Sequence, residues 1–117
     1  MESKTFDQYK FLCEALANKK GHDITLLDLG DVAAVSDIFI LVTANSETHM
    51  RALVEAADEA LSKSGIIHPR IEGENSPHWR LVDGDNVLVH VFSRKGRDHY
   101  KIEKVWGDAE IYNLDFP

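Results

Sequence analysis

Trp79-Arg80-Leu81-Val82-Asp83-Gly84-Asp85-Asn86-Val87-Leu88-Val89-His90-Val91-Phe92 is the stretch that decides the fold. Two runs rich in apolar and β-branched residues flank Asp83-Gly84-Asp85-Asn86, a group of turn formers. That pattern predicts a β-hairpin. With Gly84 and Asp85 as the loop, Val82 pairs with Val87 and Trp79 stands opposite His90. The period of two along each strand then puts Trp79, Leu81, Leu88, His90 and Phe92 on one face.

Upstream, Ile66 to Glu72 predicts a further strand. Pro69 interrupts it and so places it at a sheet edge or on a bulge. Ser46 to Ser64 predicts a helix with Met50, Leu53, Val54, Ala57 and Leu61 as its apolar stripe and Gly65 as its stop. Ile38 to Thr43 is an unbroken apolar run, the mark of a strand covered on both faces, and Asp23 to Leu29 reads the same way. A turn or short helical piece is expected between them, over Gly30 to Val35. Thr5 to Lys20 predicts a first helix, with Thr5 and Gln8 as a capping box, a stripe of Phe6, Tyr9, Cys13 and Leu16, and Gly21 as its stop. Downstream, Gly96 to Trp106 predicts a helix and Gly107 to Pro117 an acidic, irregular tail. Helices and strands that alternate early, followed by a hairpin, give an α/β fold: one mixed β-sheet packed with helices.

The 117 residues suit a single domain over 1–117. The net charge of −7 argues against direct, phosphate-driven nucleic-acid binding, which needs a basic face. It suits a basic protein partner instead, reached by charge steering. No run is long and apolar enough for a membrane span. Met1 to Lys10 lacks the basic start and apolar core of a signal peptide, and one cysteine allows no internal disulfide. A cytoplasmic protein is expected.

No set of residues makes a convincing catalytic or metal centre. Asp83-Gly84-Asp85 has the acids of a two-metal site, but a carboxylate pair for an ion belongs on one strand face, and these flank a turn glycine. Thr43-Ala44-Asn45-Ser46 enters a helix without the glycine and lysine of a phosphate loop, so Ser46 or Asn45 is expected to cap that helix. His78, His90 and His99, with Asp98 or Glu103, lack ligand spacing, and His90 reads more simply as a hydrogen-bonded, half-buried strand residue. Cys13 lies on an apolar stripe and is expected to be buried and inert. Trp79, Tyr100 and Trp106 beside Arg80, Arg94, Arg97, Asp98, Glu103 and Asp108 fit either a recognition patch or a core at the sheet edge.

The hairpin sequence, followed by Arg97-Asp98-His99-Tyr100-Lys101-Ile102-Glu103-Lys104-Val105-Trp106, resembles the ribosome-silencing-factor (Iojap-like) family. Its signature is a tryptophan, an aspartate turn, a Val-His-Val-Phe strand and Arg-x-x-Tyr-x-Leu-Glu-x-Leu-Trp, with Ile102 and Val105 here for the leucines. Asp37-Ile38-Phe39-Ile40, Asn45-Ser46, Asp23-Ile24 to Asp28, and Glu72-Gly73 are similar to further family motifs, so the likeness spans about residues 6 to 106. Ala44 departs from a usual glycine, Ile38 from a usual aromatic, and His49 and Met50 from a polar-hydrophobic pair.

The resemblance implies a nucleotidyltransferase-like α/β fold without the catalytic acids, no enzymatic activity, no cofactor and no metal. It implies binding to the large ribosomal subunit through ribosomal protein L14, steric exclusion of the small subunit, repression of translation, and homodimers in isolation. Carried onto this chain, the signature makes Trp79, Asp83, Tyr100 and Glu103 partner-binding residues, followed by Asp37, Ser46 and Glu72. His90, Arg97 and Trp106 become their supports. Two other functions remain open at this level. One is a large-subunit assembly factor or scaffold. The other is a nucleotide-binding relative of nucleotidyltransferases, with metal-dependent binding near Ser46 and Glu72.

Overall fold

A computed structural model describes residues 4–29, 38–66, 69–102 and 110–113. Helix α1 spans Lys4–Asn18, strand β1 His22–Asp28, β2 Ile38–Ala44, helix α2 Glu47–Lys63, β3 Arg70–Glu72, β4 Trp79–Asp83, β5 Val87–Ser93, helix α3 Arg94–Tyr100 and β6 Glu110–Asn113. The strands form one sheet in the order β3-β4-β5-β2-β1-β6. Only the β2–β5 pairing is parallel; every other neighbouring pair is antiparallel. This is the mixed α/β sheet that the patterning predicts.

Strand β2 carries the continuous apolar run and is buried at every position, because β1 and β5 flank it and both its faces are covered. On one face α1 and α2 supply Leu12, Cys13, Leu16, Met50, Leu53, Ala57 and Leu61 against Leu26, Ile40, Val42, Val82, Val89 and Val91. The opposite face gathers Leu27, Leu29, Phe39, Leu41, Phe92 and Ile102, with Trp79 and Leu88 packed on them. Helix α2 buries the five residues of its expected stripe, and Ser46 caps it by accepting the His49 N–H at 3.0 Å. Cys13 is fully buried, and burial, aided by nearby Glu14, pushes its thiol up to about 12.

Four expectations need correction. The hairpin register is shifted by two: Leu81 opposes His90 and Trp79 opposes Phe92. The cause lies in the turn. Gly84 still pairs, donating its N–H to Val87 at 2.8 Å, so the loop moves on to Asp85 and Asn86, with Asp85 at φ 70°. An even shift leaves the faces as expected. The second correction concerns Thr5, which lies within α1 instead of at the position before it. At the other end of α1 the left-handed residue is Lys20, φ 65°, one position before Gly21. Gly21 donates to Leu16 C=O at 3.0 Å and Lys20 to Ala17 C=O at 2.9 Å, which makes a Schellman closure.

Third, α3 begins at Arg94 and ends in a left-handed Lys101, φ 49°, instead of running on from Gly96 to Trp106 as one helix. Ser93 caps it, accepting the Gly96 N–H at 2.9 Å. Fourth, the tail holds a strand, since Glu110–Asn113 pairs with β1. Pro69 sits just before β3, which is indeed an edge strand. The turn or helical piece expected over Gly30 to Val35 lies outside the described residues.

Candidate functional site

Pairing register decides which side chains share the second face. Across it, Glu72 opposes Leu81, Leu81 opposes His90, and His90 neighbours Leu41. In the adjacent row Arg70 opposes Asp83, Asp83 opposes Leu88, and Leu88 neighbours Phe39. Trp79 and Phe92 close the row nearest α3. Trp79, His90, Asp83 and Glu72 therefore project from one side of the sheet, although they are scattered over 19 positions of sequence.

An aromatic stack stands at the centre. Trp79 lies over Phe92 at 5.4 Å and over His90 at 5.8 Å, and Tyr100 leans on Trp79 at 4.4 Å. Phe39 supports His90 from β2 at 4.5 Å. Trp79 is half-buried, and Tyr100 is 39% exposed. The Trp79 Nε1–H donates to His90 Nδ1 at 3.0 Å, which fixes the indole and assigns the imidazole proton to Nε2. Burial, with Arg97 nearby, holds the His90 pKa down at about 3, so the ring is neutral.

Tyr100 is held by the way α3 is anchored. A bulge between His22 and Thr25 puts Asp23 in a left-handed conformation, φ 49°. This turns the Asp23 carbonyl to the buried Arg97, whose guanidinium donates to it at 2.9 Å, to Thr43 Oγ1 at 3.1 Å and to Thr25 Oγ1 at 2.9 Å. The Asp23 carboxylate takes Arg94 at 2.7 Å, and this hydrogen bond holds its pKa below the usual carboxylate range. At the other side Gly96 lies so close to β4 that an added Cβ would meet His78 O at 2.2 Å. Gly73 is needed likewise: φ is +73° and an added Cβ would meet Trp79 O at 2.8 Å.

The expected site residues thus fall into groups. Trp79 touches both Tyr100 and His90, with Arg97 beneath as an anchor. Asp83 and Glu72 share the face further along. Asp83 also has a local task, because its carboxylate accepts the Asp85 N–H at 3.0 Å in the turn. Ser46 stands apart as the cap of α2, in the layer behind the sheet. Asp37, Glu103 and Trp106 lie outside the described residues. Arg80, read beside the aromatics, points the other way: it is buried, donates to Ser76 C=O at 2.8 Å and meets Glu47 at 3.6 Å.

Sequence reasoning missed Phe39, Gly73 and Gly96 as parts of the site. Phe39 reaches His90 only through the parallel β2–β5 pairing, which no local pattern announces. Gly96 had a signal, the Ser93 cap three residues before it. Among the described residues no three His, Cys, Asp or Glu side chains gather where a metal could be held, and no helix is long and apolar enough to cross a membrane. The arrangement offers a fixed aromatic surface with acids along it, which suits binding.

Residues 2–116 match the family described as ribosomal silencing factor during starvation. A ribosomal silencing factor from Bacillus subtilis (strain 168) is 35% identical over 107 residues, covering 92% of this chain and 91% of the relative. A crystal structure of a Chromobacterium violaceum protein superposes with a TM-score of 0.80 at 32% identity, covering 100% of this chain and 92% of that one. More distantly, the mouse mitochondrial assembly of ribosomal large subunit protein 1 is 24% identical over 98 residues, which are 81% of this chain and 43% of the mouse protein.

Proposed function

Since the chain belongs to the ribosomal silencing factor family, we propose that it binds the large ribosomal subunit through ribosomal protein L14 and sterically excludes the small subunit, repressing translation without chemistry of its own. The observation that carries this reading is the half-exposed Trp79–Tyr100 stack, locked by His90 and bordered by Glu72 and Asp83. Rigid aromatics cost little entropy on binding and supply most of the affinity at protein interfaces. The acids, on a chain of net charge −7, steer it to a basic ribosomal protein. Cytoplasmic residence and a homodimer in isolation belong to the same reading.

The test is a sucrose gradient of separated subunits with the purified chain added. Co-migration with the large subunit and fewer joined ribosomes are expected. No co-migration at low salt, with folded protein, would sink the reading. A second reading, large-subunit assembly without silencing, is favoured by the name of the mouse relative. Co-migration that leaves joining unchanged, with preference for immature subunits, would select it.

A further inference from the structure

Beside the stack the surface changes sign. Arg94 to Lys101 holds four of the 13 cationic side chains of the chain and one of its 20 acids. A hollow lined by His78, Lys95, Gly96, His99 and Tyr100 opens here. Its polar groups include the Lys95 ammonium, two imidazoles and the Tyr100 hydroxyl. Ser93 Oγ accepts the Gly96 N–H at 2.9 Å and shares a hydrogen bond with His78 Nδ1 at 2.8 Å. His78, Lys95, His99 and Lys101 are exposed, whereas Arg94 is spent on Asp23 and Arg97 is buried. Asp98, the acid of α3, lines the neighbouring hollow with Asp23 and Arg94.

We propose that this hollow seats the sugar–phosphate backbone of RNA on the large subunit while the Trp79 face, with Glu72 and Asp83 at its far end, holds the adjacent basic protein. The inference rests on the docking reading above. Charge complementarity carries it. A mostly acidic chain gains nothing from setting the exposed Lys95 and Lys101 against a basic protein, and a phosphodiester strand is the anion that a ribosomal surface presents beside one. Lys95 in the hollow and Lys101 at the end of α3 take phosphates, and the His78 ring lies beside them.

The test uses the full chain and purified large subunits. A benzophenone is attached to a Lys95→Cys variant, where buried Cys13 leaves the new thiol as the reactive one. Cross-links to large-subunit RNA are expected. A Lys95→Gln/Lys101→Asn variant, with asparagine chosen for the left-handed position, should dock roughly tenfold more weakly at 0.1 M salt, with a salt slope shallower by about two. Cross-links confined to ribosomal protein would overturn the proposal and show an acidic protein surface there. Wild-type affinity and slope in the double variant would overturn it too. In both cases docking survives. If the unmodified chain fails to co-sediment, the docking reading itself falls, and this inference falls with it.

Discussion

Trp79 and His90 do not face each other across the hairpin, yet the indole Nε1–H reaches His90 Nδ1 at 3.0 Å. The diagonal reach leaves the direct position opposite Trp79 to Phe92, so the indole rests on two rings at once. A neutral imidazole is a condition of this bond, because a protonated Nδ1 has no lone pair to accept with.

A pH dependence follows from that bond. The folded pKa of His90 is about 3, below the unfolded value of about 6.5. Below pH 6.5 the unfolded chain binds a proton that the folded chain refuses. Stability is therefore full above that pH and falls as pH drops toward 3, by roughly 1 kcal/mol per unit. Urea unfolding at pH 7 and pH 5 should show the loss in the wild type. The His90→Phe variant should show less of it, and equal losses in both proteins would place the proton elsewhere.

The features that build this surface were not equally legible in the sequence. Local periodicity placed Trp79, His90 and Phe92 on one face and gave α2 its stripe, because each depends on spacing within a few residues. The hairpin register was not legible, since it turned on whether Gly84 pairs or loops. Strand β6 was hidden because its partner β1 lies more than 80 residues away in the chain. Arg97 read only as a charge beside the aromatics and, by resemblance, as a support, and its anchoring role was hidden because the carbonyl and two hydroxyls that take it up come from β1 and β2.

Arg97 should be among the least replaceable residues. Arg97→Met leaves the Asp23 carbonyl and the Thr25 and Thr43 hydroxyls without their buried donor. The cost should be roughly 3 kcal/mol, the range for stripping one side of a buried charged network. Arg97→Lys keeps the charge and loses the fork, so it should recover only part. Chemical denaturation of the two variants checks both values, and a neutral Arg97→Met would remove the anchor from the account.

Cys13 should behave as a reporter of unfolding. With the thiol buried and its pKa about 12, thiolate is scarce and out of reach. A disulfide reagent should label the folded chain only as fast as it opens, and at once in urea. Fast labelling of the folded chain would show that α1 leaves the sheet readily.

Gly96→Ala tests whether α3 must lie where it does. The new Cβ would fall 2.2 Å from a backbone oxygen, which no side-chain rotation relieves. Helix α3 must back away from His78, at a cost of about 1–3 kcal/mol. Tyr100, at the end of α3, should lose its place on Trp79. Near-ultraviolet circular dichroism should weaken at the aromatic bands, and an unchanged spectrum with unchanged stability would mean that the helix shifts freely.

Tyr100 separates folding from docking. Its ring is 39% exposed, so Tyr100→Ala should unfold at nearly the wild-type urea concentration. The same ring completes the stack on Trp79, and an aromatic anchor at the centre of an interface is worth about 2 kcal/mol or more on truncation. Binding to purified large subunits should therefore weaken by roughly thirtyfold. Tyr100→Phe keeps the ring and should bind within a few-fold of wild type, unless the hydroxyl itself is bonded in the complex. Wild-type affinity in a folded Tyr100→Ala protein would remove this ring from the docking surface and shift the burden to Trp79 alone.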